Sequence, residues 1–120
     1  FTYIDDLVHG MRLLIEAIPG DIDFSEKNAG KMDSKSEVAP FRVVNIGNSQ
    51  PSKLLDLILA IEISVGVEAV KNLMPMQAGD VPATWADTTL LHELTGYKPK
   101  MELSMGVQNF VTWYRDYYSV

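Results

Sequence analysis

Phe41-Arg42-Val43-Val44-Asn45-Ile46, then Gly47-Asn48-Ser49-Gln50-Pro51, then Leu54-Leu55-Asp56-Leu57-Ile58-Leu59-Ala60-Ile61 is the stretch that decides the fold class. The first six residues are mostly apolar and β-branched, the composition of a buried strand. Gly47-Asn48 closes the run, and Pro51 suits the first turn of a helix, with Ser49 or Gln50 as its cap. Leu54, Leu55, Ile58, Leu59, Ile61 and Val65 then spread over a broad face, which predicts a largely buried helix stopped by Gly66. A strand, a tight turn and a helix in succession make this an α/β chain.

Upstream, Ile4, Leu7, Val8, Met11, Leu14, Ile15 and Ile18 fall three and four apart and predict a core-facing helix over residues 3–18. Asp5 and Asp6 suit its positive end, and Pro19-Gly20 stops it. Residues 21–39 lose all periodicity and read as a long, mobile surface loop rich in Lys, acids, Ser, Asn and Gly. Downstream, short strands are predicted at 69–74 and 83–86, with a loop between Met76 and Pro82 centred on Gly79-Asp80. A short helix follows from Asp87 to Leu94, ended by Gly96. A final helix runs from Leu103 to Tyr118, with Leu103, Val107, Phe110, Val111 and Tyr114 on one face. The whole is mostly helical with two or three short strands. Its terminal rings, Trp113, Tyr114, Tyr117 and Tyr118, read either as a stacking platform for bases or sugars or, the stronger reading, as anchors of the last helix onto the core.

Size and composition bound the function. With 120 residues, 47% of them hydrophobic, there is room for one domain, spanning 1–120. The net charge of −6 disfavours nucleic acid and anionic membrane surfaces as partners. The longest apolar run, residues 57–61, is far short of a membrane span, and the acidic start at Asp5-Asp6 does not suit a signal peptide. Cysteine is absent, which removes disulfides and thiolate chemistry and fits a reducing, cytoplasmic compartment.

Catalytic motifs are missing. The glycines form no G-x-G-x-x-G loop, His9 and His92 have no metal-ligand spacing, and no Ser sits in a G-x-S-x-G elbow. No lysine has a tyrosine four residues before it, so the Tyr-x-x-x-Lys acid–base pair is absent. No catalytic, cofactor-binding or metal residue is therefore assigned. The best ligand candidate is Pro75-Met76-Gln77-Ala78-Gly79-Asp80-Val81-Pro82, a tight Gly beside an acid and an amide, placed where open α/β sheets hold ligands. Asp80 is equally suited to satisfying loop backbone N–H groups.

Four segments taken in order carry a resemblance. They are Phe1-Thr-Tyr-Ile-Asp-Asp-Leu-Val, Asn45-Ile-Gly-Asn-Ser, Met76-Gln-Ala-Gly-Asp-Val-Pro-Ala-Thr-Trp-Ala-Asp, and Thr95-Gly-Tyr-Lys-Pro followed by Gly106 and Trp113-Tyr-Arg. Together they resemble the C-terminal, substrate-binding portion of extended short-chain dehydrogenases acting on nucleotide sugars, and most of all the bacterial UDP-glucuronate 4-epimerase branch. The resemblance implies a Rossmann-type parent whose NAD-binding domain lies upstream and is missing here, so that NAD is the parent's cofactor and the piece alone is inactive. It implies a UDP-sugar as partner. Asp80 would accept the ribose hydroxyls, Gln77 would stand where many relatives place a diphosphate-binding arginine, Gln50 would lie near the nucleotide, and Phe1 would lie beside the substrate. A sister dehydratase or decarboxylase, or a stand-alone interaction domain, would share these features. Helices separated from the parent's other domain would expose apolar patches and favour a homodimer or other self-association.

Overall fold

The computed structural model describes residues 1–19 and 33–120. Most of the loop predicted at 21–39 thus lies outside the described residues; its last part, from Asp33, is held by an Arg42 fork, with Nε 2.9 Å from Asp33 Oδ1 and Nη2 3.0 Å from Oδ2.

Four helices form: α1 (Ile4–Glu16), α2 (Leu54–Val65), α3 (Thr89–Thr95) and α4 (Leu103–Tyr118). α1 has both Asp5 and Asp6 in its first turn and stops two residues before the predicted Ile18, which precedes Pro19 and is steered out of the helical region. α2 starts later than Pro51 promised. Lys53 is its cap, and the Lys53 N–H donates to Asp56 Oδ2 at 3.3 Å. Ser49 cannot cap it, because its hydroxyl lies 2.6 Å from the buried Thr88 Oγ1. Gly66 ends α2 in the left-handed region at φ 80°, where a side chain would be strained. α3 is opened by Asp87, whose Oδ1 accepts from the Thr89 N–H at 2.9 Å, and α4 spans the predicted residues.

No strand is present among the described residues, so the two or three short strands of the sequence reading are corrected. A strand needs a partner ladder, and the backbone groups concerned are bonded elsewhere. The Val43 N–H donates to Ser34 Oγ at 3.2 Å, and that hydroxyl in turn bonds the Val43 carbonyl. The Ala69 N–H donates to Glu62 Oε1 at 2.9 Å, and Lys71 Nζ bonds the same oxygen. Around 83–86, Trp85 is exposed, so this run packs no core face.

The helices pack in pairs, α2 with α4 and α1 with α3. Arg115 on α4 donates from Nη2 to the Val65 carbonyl at 2.7 Å, a cation at the negative end of α2. The buried centre is small: Leu91 is fully enclosed, Ala60 and Thr88 lie close to it in burial, and backbone comes near at Gly10. A Cβ at Gly10 would sit 3.3 Å from Ile46 Cγ2 and 3.8 Å from Leu91 Cδ2, so a larger residue there would push Ile46 back by a few tenths of an ångström.

The predicted core-facing stripe of α1 is not covered. Ile4, Val8 and Met11 are more than half exposed and Ile15 is 77% exposed; Leu54, Leu55 and Leu59 of α2 are likewise exposed. The chain presents 9618 Å² to solvent, whereas a compact protein of its 13.4 kDa presents about 6,500 Å². The apolar periodicity was sound, but the described residues include no layer to bury it. The aromatic side chains of α4 behave similarly. Phe110, Trp113, Tyr114, Tyr117 and Tyr118 stay exposed and stack on one another, with Trp113 and Tyr117 at 5.4 Å and 27°, and do not anchor the helix as predicted.

Candidate functional site

The N-terminal segment, the 45–50 turn and the 84–86 segment enclose a polar cleft of about 320 Å³, lined among others by Phe1, Asn45, Asn48, Gln50, Thr84 and Trp85. Side-chain bonds fix the 45–50 turn on three sides. Asn45 Nδ2 donates to the Asp87 carbonyl at 3.3 Å, Asn48 Nδ2 donates to the Met101 carbonyl at 3.0 Å, and Ser49 meets Thr88. Gly47 is pressed against Ala86, since a Cβ there would lie 2.9 Å from the alanine Cβ. Replacing this glycine would drive the two walls apart.

A larger groove of about 790 Å³ adjoins this cleft between α2, α4 and the N-terminal segment. Its lining is apolar and includes Tyr3, Leu57, Ile61, Val107 and Phe110; Phe1 and Asn48 border both spaces. An apolar groove opening into a polar cleft is a common form for a ligand site.

The structure brings Phe1 and Gln50 to one cleft. It places Gln77 and Asp80 together in a tight turn, where the Asp80 N–H donates to the Gln77 carbonyl at 3.2 Å and Gly79 takes φ 100°. That turn is exposed, and neither residue lines the cleft. The two pairs are therefore separate. Among the described residues no cluster of three or more His, Cys, Asp or Glu could hold a metal ion.

Sequence reasoning gave Asp6, Tyr97 and Asn48 no role in a site; Asp6 was read only as an acid at a helix start and Asn48 only as part of a turn. Asp6 Oδ1 accepts from the Tyr97 hydroxyl at 2.6 Å, while Oδ2 accepts from the N–H groups of Lys100 at 3.0 Å and Met101 at 2.8 Å. Burial opposes the Asp6 charge, but the tyrosine hydroxyl and the two amides outweigh it and hold the carboxyl below its usual range. Tyr97 is pushed up to about 12, first by burial and then by its bond to Asp6. His9 leans edge-on against the Tyr97 ring, with centroids 4.6 Å apart. The signal was present in the segments that carry the resemblance, since both Asp6 and the Tyr97 turn belong to them.

Comparison with known proteins defines a class. No family model matches the chain. It is 46% identical to an uncharacterized 37.6 kDa protein of Escherichia coli O111:H-, covering all of this chain and 35% of that one. It is 44% identical to a probable UDP-glucuronate 4-epimerase of Rhizobium meliloti strain 1021, over 98% of this chain and 34% of that protein. Among solved structures it resembles a tyrosine-to-phenylalanine mutant of Bacillus cereus UDP-glucuronic acid 4-epimerase in complex with UDP-4-deoxy-4-fluoro-glucuronic acid and NAD. The TM-score is 0.70 at 28% identity, over 98% of this chain and 32% of that one. The chain therefore spans about a third of the length of these relatives. Homologues in this class are sugar-nucleotide epimerases. More particularly, the chain is homologous over nearly all its length to a segment of UDP-glucuronate 4-epimerases.

Proposed function

We propose that this chain is the C-terminal, substrate-holding third of an NAD-dependent UDP-glucuronate 4-epimerase. The observation that carries the reading is the near-complete match, in sequence and in fold, to proteins of that name, one of them solved with a UDP-sugar and NAD. The match extends to a homologue named UDP-glucuronate 4-epimerase in Arabidopsis, 41% identical over 99% of this chain, which favours epimerase over dehydratase, decarboxylase or free-standing module.

Among the described residues no dinucleotide-binding loop is formed. The described positive-φ glycines, Gly66, Gly79 and Gly96, are isolated and form no phosphate cradle. NAD would carry the hydride chemistry from the rest of the enzyme, and these residues bind and orient. In this reading the Phe1 ring borders the sugar side of the cleft and the Gln50 amide offers both a donor and an acceptor. The Asp80 carboxylate receives two vicinal ribose hydroxyls, and the neutral Gln77 gives the diphosphate a weaker contact than an arginine fork. For Gln77 and Asp80 to join the cleft, the 77–80 turn closes over it when the other domain is in place.

The exposed faces of α1 and α2 support a further part of the reading: in the longer enzyme these apolar stripes are covered, while the isolated chain self-associates as a homodimer or larger. The cysteine-free sequence supports a reducing, cytoplasmic setting for that enzyme. No helix among the described residues is long and apolar enough to cross a membrane.

The test is an assay of the longer protein containing this chain. With NAD and UDP-glucuronate it yields the C4 epimer with no net NADH, and the isolated chain yields nothing. Release of carbon dioxide or loss of water from the sugar would assign it instead to a sister activity.

A further inference from the structure

Asp6 is spent entirely within the protein. One carboxylate oxygen takes the Tyr97 hydroxyl and the other takes two backbone N–H groups, Lys100 and Met101, from the far end of the chain. Little acceptor capacity is left for a ligand. The bonds nevertheless lead to the cleft: Met101 is fixed by its N–H to Asp6, and its carbonyl receives Asn48 Nδ2 at 3.0 Å. Asn48 lines the cleft, and Gln50 stands two residues beyond it. Met101 is further packed at Gly106, where a Cβ would stand 3.2 Å from Tyr3 Cδ2 and 3.4 Å from Met101 Cγ. The opposite flank of the 45–50 turn is held independently, by Asn45 on Asp87 and Ser49 on Thr88.

We propose that Asp6 is a positioning residue for the nucleotide-sugar cleft, acting through Met101 on Asn48 and so setting the wall that carries Gln50. The inference rests on the functional reading above for its ligand. Because Asn45 and Ser49 have their own anchors, removing Asp6 tilts one wall and leaves the cleft standing. Substrate affinity falls while the chemical step, carried by residues outside this chain, is unaffected.

In the longer protein, Asp6→Ala raises KM for UDP-glucuronate about tenfold and leaves kcat within about twofold, the loss expected of a displaced binding wall. Asp6→Asn restores KM to within about threefold, because its amide oxygen accepts from the two backbone N–H groups while its NH₂ donates to the Tyr97 oxygen. Selective ¹⁵N labelling of asparagine supplies a readout independent of substrate. In Asp6→Ala the Asn48 side-chain amide leaves its hydrogen-bonded shift, while that of Asn45 stays. An unmoved Asn48 resonance overturns the inference, whatever the enzyme's substrate proves to be. So does a fall in kcat at constant KM, or a loss of folded protein with unchanged kinetics in what remains. Failure of the wild type to epimerise UDP-glucuronate, with Asn48 still shifting, removes the functional reading and the ligand named here but upholds the coupling of Asp6 to Asn48.

Discussion

Two regions of this chain carry polar side chains and behave in opposite ways. Around Asp6, Asn48, Thr88 and Tyr97, side chains bond partners distant in sequence, Asp6 reaching across more than ninety residues, and Leu91 nearby in the chain is completely buried. From 67 to 82, the residues are exposed throughout, with Leu73 at 82%, and the segment is tied locally, through Glu62 to Ala69 and to Lys71. The difference lies in what each needs from outside. The first region satisfies its donors and acceptors within itself. The second has strand composition, and a strand is half of an interaction whose other half is not among the described residues.

The comparison can be broken most easily at its apolar extremes. Leu91→Ala should destabilise by about 3 kcal/mol, the cost of emptying a fully buried site, whereas Leu73→Ala should stay within about 0.5 kcal/mol. Chemical denaturation of both variants measures this, and equal costs would show that the 67–82 segment is packed. Next in size, Gly47→Ala should cost about 1–3 kcal/mol by overpacking against Ala86. Tyr97→Phe follows, at about 1–2 kcal/mol for a hydrogen bond to a charged group.

That last bond also sets a pH dependence with a definite sign. The Asp6 carboxyl is held low when folded, so its contribution is complete above its unfolded value of 3.8 and fades as pH falls through the lower folded value. Tyr97 is raised to about 12 from 10.0, so its contribution is complete below pH 10 and is lost between there and 12. The stability gap between wild type and Tyr97→Phe should therefore be flat through neutral pH and close at both extremes. A gap that opened at high pH would contradict the bond. Smallest of all, Lys71→Met should change stability by less than about 0.5 kcal/mol, since the Lys71–Glu62 pair lies at the surface.

What could be read from the residues follows the same division. The helices were legible because periodicity and caps are local: Gly66 and Gly96 end α2 and α3 where predicted, and α4 needed nothing beyond its own pattern. Pairing partners were not legible, so residues 41–46 and 69–74 were read as strands although the Val43 N–H goes to Ser34 and the Ala69 N–H to Glu62. Burial failed for a related reason, since the stripe on α1 states that a cover is needed but not that this chain holds it. Of the residues singled out from sequence, Phe1 and Gln50 line one cleft, while Gln77 and Asp80 lie apart from it. Asp6 was passed over because an acid in a first helical turn is already explained by the helix dipole, and its three donors are distant in sequence.

Gln77 and Asp80 give the sharpest contrast, being structurally quiet and, in the proposed role, functionally decisive. Asp80→Ala should leave stability within about 0.5 kcal/mol yet weaken UDP-glucuronate binding about tenfold in the longer protein. The most direct test of the central claim is hydrogen exchange on that protein with and without UDP-glucuronate. The account predicts that ligand slows exchange in residues 45–50 and in 76–82, joining the closed region to the open one around one substrate. Unchanged exchange in both segments at saturating ligand would show that this chain does not hold the sugar nucleotide.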